Sequence, residues 1–180
     1  MAKSLGFLLA IFCFLLGSAA ADWNILKQKG KNGLQITLKR EKWTSNHSEE
    51  LLGNKLNLTS LEEWMNQGKA PALQHSLKLF NELKDLGVQI ILVSSRMEHL
   101  RSATVDNIVN EGFFGWTSLI LRGSDDACKD IQRYKYDVRK QLISDGYRIW
   151  GILGDQWSSI EGLPSAKRTF KLPNPLYYTA

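Results

Sequence analysis

Cysteine is nearly absent from this chain. Cys13 and Cys128 are the only two in 180 residues, too few for a disulfide framework to organise the fold. A second long apolar run is also missing. Beyond Leu16 no segment approaches the length of about 20 apolar residues that spans a bilayer. No internal repeat and no low-complexity tract occurs. Basic residues are present, with a net charge of +5, yet they lack interleaved aromatics or a basic helical face. Lys27-Gln-Lys-Gly-Lys31 and Lys39-Arg40 therefore read as solvated loop charges, which argues against a nucleic-acid partner.

What is present begins at the N-terminus. Lys3, the apolar run Leu5 to Leu16 and Ala19-Ala20-Ala21 before Asp22 have the layout of a secretory signal peptide with its cleavage site. The run is short for a membrane anchor. The expected mature chain is Asp22 to Ala180, in the secretory route with a vacuolar or extracellular destination and no membrane association after cleavage. Cys13 would leave with the leader, and Cys128 would be buried or would pair two copies as a homodimer. Asn46-His-Ser48 and Asn57-Leu-Thr59 are N-glycosylation acceptors in a polar stretch. The expected organisation is a signal peptide over 1–21, a polar remnant over 22–59 and one domain over 60–180.

The alternation Leu34-Gln-Ile-Thr-Leu38 predicts a short strand. Ser60-Leu-Glu-Glu63 predicts a capping box, and Pro71 the start of a helix that Gly87 stops. Val88-Gln-Ile-Ile-Leu-Val93 is nearly continuous in aliphatic residues, as in a strand buried on both faces. A helix over Leu100–Asn110, a strand over Ser118–Leu121, a helix over Asp137–Ser144 and a strand over Tyr147–Leu153 follow. Alternation of this kind predicts an α/β fold, a Rossmann-like parallel sheet with flanking helices. Its site should lie at the strands' C-terminal ends.

Those ends carry three chemistries. Ser94-Ser95-Arg96 is placed at a helix start, where two hydroxyls and free N–H groups bind an anion or simply cap the helix. Lys135 is placed in a polar approach to the next helix, as a surface charge or a partner for phosphate. Asp155 in "ILGDQWSS" is a turn former or a functional carboxylate.

The stretches "WMNQGKAPALQHSLKLFNELKDLGVQIILVSSR", "YKYDVRKQLISDGYRIWGILGDQWSS" and "RTFKLPNPLYY" resemble plant acid phosphatases, including vegetative storage proteins, a class B-like branch of the haloacid dehalogenase superfamily. The resemblance runs from about Asn57 to the C-terminus, with a weaker match at Trp23–Leu26 and Gly33–Lys39. It implies phosphomonoester hydrolysis through an aspartyl-phosphate, with Mg²⁺ as cofactor and a small phosphomonoester or inorganic phosphate as ligand. Ser94 falls on the second-motif hydroxyl that bonds the transferring phosphoryl group. Ser95 stands where a glycine is usual. Lys135 falls on the third-motif lysine and Asp155 on the Mg²⁺-binding acid. Where a further Asp is common downstream, this chain has Ser159.

The first motif, Asp-x-Asp-x-Thr, supplies the nucleophile and the acid/base group of that family. Here the aspartates are Asp22, Asp85, Asp106, Asp125, Asp126, Asp130, Asp137, Asp145 and Asp155, and no two stand two residues apart. The chain passes from "KREKWTSNHSEELL" directly into "GNKLNLTS". The resemblance thus implies an incomplete sheet that lacks its central first-motif strand, in a protein with little or no activity. A non-catalytic vegetative storage glycoprotein is the alternative. Either Leu34–Leu38 fills the vacated position or the domain packs poorly.

Overall fold

The computed structural model describes residues 8–13, 23–30, 33–40 and 58–172, with side-chain surroundings from residue 62 to residue 172. Two sheets are present among them. Strand β1 (Leu8–Cys13) belongs to a five-stranded sheet, whereas β2 (Trp23–Gly30) and β3 (Gly33–Arg40) form a separate antiparallel pair. Helices α1 (Leu58–Asn66) and α2 (Gln74–Asp85) precede β4 (Gln89–Met97). Then come α3 (Arg101–Asn110), β5 (Ser118–Arg122), α4 (Ile131–Ser144), β6 (Arg148–Gly154), the one-turn α5 (Trp157–Ile160) and β7 (Arg168–Lys171). The larger sheet has the order β5-β4-β1-β6-β7, and each of its pairs is parallel.

Side-chain alternation explains why this sheet is sandwiched. Ile90 and Leu92 of β4 pack into one core with Phe80, Ile108 and Phe113, from the α2–α3 side. Ile91 and Val93 point the other way, into a core with Tyr134 and Leu142 of α4 and Ile149 and Ile152 of β6. A strand with both faces covered must be apolar at successive positions, and β4 is. Phe80 and Phe113 meet edge to face, with centroids 5.1 Å apart. Phe80 is fully buried, so Phe80→Ala is expected to lower the unfolding free energy by about 3–5 kcal/mol, read from a denaturant titration.

The central position of the sheet is held by β1, from the segment that also has the layout of a leader. Leu9–Phe12 pair with Gln89–Leu92, and Leu8–Cys13 pair with Arg148–Gly154. The expectation that Leu34–Leu38 would fill this place is corrected: those residues lie in β3, paired to β2. The physical reason is their alternation. Gln35 and Thr37 suit a strand with one apolar face, while Leu-Leu-Ala-Ile-Phe-Cys is apolar at every position and suits a seat covered on both.

Local boundaries also shift. Ser60 lies inside α1, so its capping box does not open that helix, and α2 starts three residues beyond Pro71. Gly87 takes φ +75° behind α2, where Val88 N–H returns to Leu83 O at 3.1 Å, so the chain stops where glycine permits it. The proposed cleavage site and both Asn46 and Asn57 lie outside the described residues. No described helix is long and apolar enough to cross a membrane.

Candidate phosphate site at the sheet's C-terminal edge

The strand registers place the site. Phe12 is level with both Leu92 and Leu153. Counting two residues on, Ser94 and Asp155 stand level at the same edge of the sheet, with one strand between them. At about 4.8 Å per strand their backbones are roughly 10 Å apart.

Ser94 is buried. It lies within β4 at a register shift between Val93 and Met97, and its Oγ accepts from the Arg96 N–H at 3.3 Å. This corrects the placement of Ser94-Ser95-Arg96 at a helix start. A short 3-10 turn at Glu98–Leu100 and then α3 begin only after Met97, so neither residue caps a helix or sits at a helix N-terminus. The side chain of Arg96 turns toward α3, donating from Nη1 to Thr104 Oγ1 at 3.2 Å. Ser95 is half-buried. No non-glycine residue among those described has a positive φ, so a serine here carries no left-handed strain.

Lys135 is 3% exposed. It is not in an irregular approach to the helix, as its polar surroundings suggest, but in the second turn of α4, which begins at Ile131 with Asp130 as its cap, accepting from Arg133 N–H at 2.7 Å. The helix carries Lys135 to the loop behind β6, where Nζ donates to Ser159 Oγ. Arg139, one turn further along α4 and 2% exposed, holds the same loop. Its Nη1 donates to Ser159 O at 3.0 Å and its Nη2 to Glu161 O at 2.7 Å. Asp155 (5% exposed), Gln156 and Ser159 are all buried in this loop, and Ser159 N–H closes its turn on Gln156 O at 3.0 Å.

Lys135 and the Asp155 loop are thus joined directly. Ser94 shares their edge of the sheet across the β1 seat. Arg139 was missed in the sequence. Its i,i+4 spacing from Lys135 was the available signal, hidden because the helix was started at Asp137. The approach to α4 is pinned at the surface: Lys129 Nζ bridges Asp126 at 2.8 Å and Asp137 at 3.1 Å. The Lys129 hydrogen bond is the main reason the Asp137 carboxyl is held below its ordinary range; burial opposes it, and the Arg133 and Lys129 charges add to it. Cys128, in the same loop, is exposed.

The superfamily implies Mg²⁺, and the donor set here does not fit it. Mg²⁺ takes oxygen ligands in octahedral geometry, usually with one or two carboxylates plus substrate phosphate. Asp155 is the buried carboxylate of this loop, Glu161 being exposed, and the Oγ of Ser159 is engaged by an ammonium. Among the described residues no group of three or more His, Cys, Asp or Glu could hold a metal ion.

Comparison with known proteins agrees with this architecture. The class C acid phosphatase from Bacillus anthracis superposes with a TM-score of 0.64 over 97% of this chain and 70% of its own, at 16% identity. The two chains therefore share one α/β fold. The family model for the HAD superfamily, subfamily IIIB (acid phosphatase), matches residues 38–180, and the chain belongs to that family. Among curated relatives, acid phosphatase 1 of Solanum lycopersicum is 48% identical over 117 residues, which is 65% of this chain and 46% of that protein. The stem 28 kDa glycoprotein of Glycine max is 44% identical over 69% of this chain and 50% of its own length. Vegetative storage protein 1 of Arabidopsis thaliana is 39% identical over 64% and 42%. The chain spans about half the length of the curated relatives it matches.

Proposed function

We propose that this acid phosphatase family protein binds inorganic phosphate, or the phosphate group of a small phosphomonoester, at Ser94, Lys135 and the Asp155 loop, and does not turn it over. The observation that carries this reading is the Lys135 ammonium, buried behind the sheet edge with the neutral Ser159 hydroxyl as its hydrogen-bond partner. A buried ammonium attracts an oxyanion more strongly than an exposed one, because water screens it less. Ser94 adds a hydroxyl donor at the same edge, and Ser95 lies beside it. Lys135 offsets the phosphate charge, while Arg139 keeps the loop in place by holding its carbonyls.

Turnover through an aspartyl-phosphate needs a carboxylate in line with the leaving oxygen. The strand between Ser94 and Asp155 is β1, and residues 1–21 contain no Asp or Glu. No aspartate pair with two-residue spacing exists elsewhere in the sequence. The residues present can therefore bind and orient a phosphate group without a group to attack it.

Calorimetric titration of the full chain with orthophosphate or tungstate in the presence of EDTA tests the binding. Saturable 1:1 binding that Mg²⁺ leaves unchanged is expected. No heat without Mg²⁺ and saturable binding with it would contradict the reading.

A second reading, storage glycoprotein, is favoured by the same missing nucleophile and by the names of the stem glycoprotein and vegetative storage relatives. Export, with glycans at Asn46 and Asn57 and a vacuolar or extracellular destination, belongs to that reading. Abundance in storage tissue without phosphatase activity would support it.

A further inference from the structure

The seat of β1 sets two fates of the N-terminus against each other. We propose that the place between β4 and β6 must be filled for this domain to fold, and that Leu8–Cys13 is its resident strand, so that folding retains the segment that export would remove.

The pairing is two-sided. Leu9–Phe12 run along Gln89–Leu92 on one side, and Leu8–Cys13 along Arg148–Gly154 on the other. The flanking strands are interior: Ile90, Ile91, Leu92, Val93 and Ile152 are each 1–2% exposed. With the seat empty, β4 and β6 would each face an interior gap with a row of unmet N–H and C=O groups. Orphaning that many buried backbone groups costs more than the whole stability of an ordinary domain.

Closing the gap is no remedy. Ile91 and Val93 of β4 share one core under α4 with Ile149 and Ile152 of β6. Bringing the strands together by one spacing would drive these side chains into one another in an interior already close-packed. The other strand of the N-terminal region, β3, has the polar Gln35 and Thr37 between Leu34, Ile36 and Leu38. It could cover only one of the two faces with apolar side chains.

The same residues are the apolar heart of the leader-like segment, Leu5 to Leu16. A chain cut before Asp22 loses β1. The cut chain and the five-stranded sheet are therefore different molecules, and the former presents two open strand edges that only another strand can complete.

Hydrogen exchange read by mass spectrometry on the full chain, made by cell-free synthesis without signal peptidase, tests this. The amides of Leu9–Cys13 are expected to exchange as slowly as those of Ile90–Val93. Free-chain exchange at Leu9–Cys13 beside a protected Ile90–Val93 would overturn the proposal, and so would uniformly fast exchange.

Two variants sharpen the result. Ala10→Pro removes a ladder donor from a central strand and should abolish protection at Ile90–Val93 and Ile149–Gly154, whereas Ala10→Val should keep it. The 22–180 chain should lack that protection as well. Wild-type protection in either the proline variant or the shortened chain would overturn the proposal.

Discussion

Lys135→Met is expected to weaken orthophosphate binding by about 10- to 100-fold while leaving the fold intact. The side chain is buried, and its ammonium donates directly to a side-chain oxygen of the Asp155 loop, Ser159 Oγ. A hydrogen bond to a charged group is worth about 1.5–3 kcal/mol, and about 1.4 kcal/mol is tenfold in affinity. Methionine matches lysine in length and fills the same space with apolar atoms. Replacing a buried charge by a well-packed apolar group of similar volume is often neutral for stability. Calorimetry on the variant, beside a thermal melt, separates the two effects. Unchanged phosphate affinity with an unchanged melt would place the anion elsewhere.

Arg139→Ala is expected to act through stability. Its guanidinium donates to two backbone carbonyls, Ser159 O and Glu161 O, and the residue is fully buried at the α4–α5 contact. Each charge-assisted bond lost costs about 1.5–3 kcal/mol, and the cavity left by the side chain adds to that. The two bonds alone, about 3–6 kcal/mol, correspond to a drop in Tm of roughly 6–24 °C for a chain of this size. Arg139→Lys can satisfy one carbonyl at best, so it should recover only part of the loss. Binding at a temperature where the variant is still folded should suffer less than in Lys135→Met, because Arg139 acts on the loop and not on the ligand.

The strands were the readable part of the sequence. Val88–Val93 declared a two-faced buried strand by continuous aliphatic character, and Asp155 declared itself as the residue after a strand. The pattern put Ser94 and Asp155 at strand ends, and the strand registers set the two level; their roles come from the resemblance alone. The start of α4 was misread because Asp130-Ile-Gln-Arg-Tyr-Lys135 looks polar and irregular. In the structure the helix nevertheless starts at Ile131, capped by Asp130 and with Tyr134 buried. Ser94 was misread for a related reason: a hydroxyl pair after a strand usually opens a helix, whereas here the strand continues through a register shift.

The largest difference concerns β1. A run such as Leu-Leu-Ala-Ile-Phe-Cys is the same to a hydrophobicity argument whether it enters a translocation channel or the middle of a sheet. Periodicity carries no information when every position is apolar. What decides the matter is non-local, namely two flanking strands whose backbones need a partner. Local reading could infer that a strand was missing without saying which residues would replace it.

Residues 1–21 bring no carboxylate to the β1 seat. In the reading proposed above, Ser94, Lys135 and Asp155 bind phosphate without a nucleophile beside them. The most direct test is hydrolysis of an aryl phosphate by the purified full chain in the presence of Mg²⁺. The account predicts no release of the phenol above the buffer rate, in a preparation that binds orthophosphate. Steady Mg²⁺-dependent turnover that disappears in Asp155→Ala would contradict it.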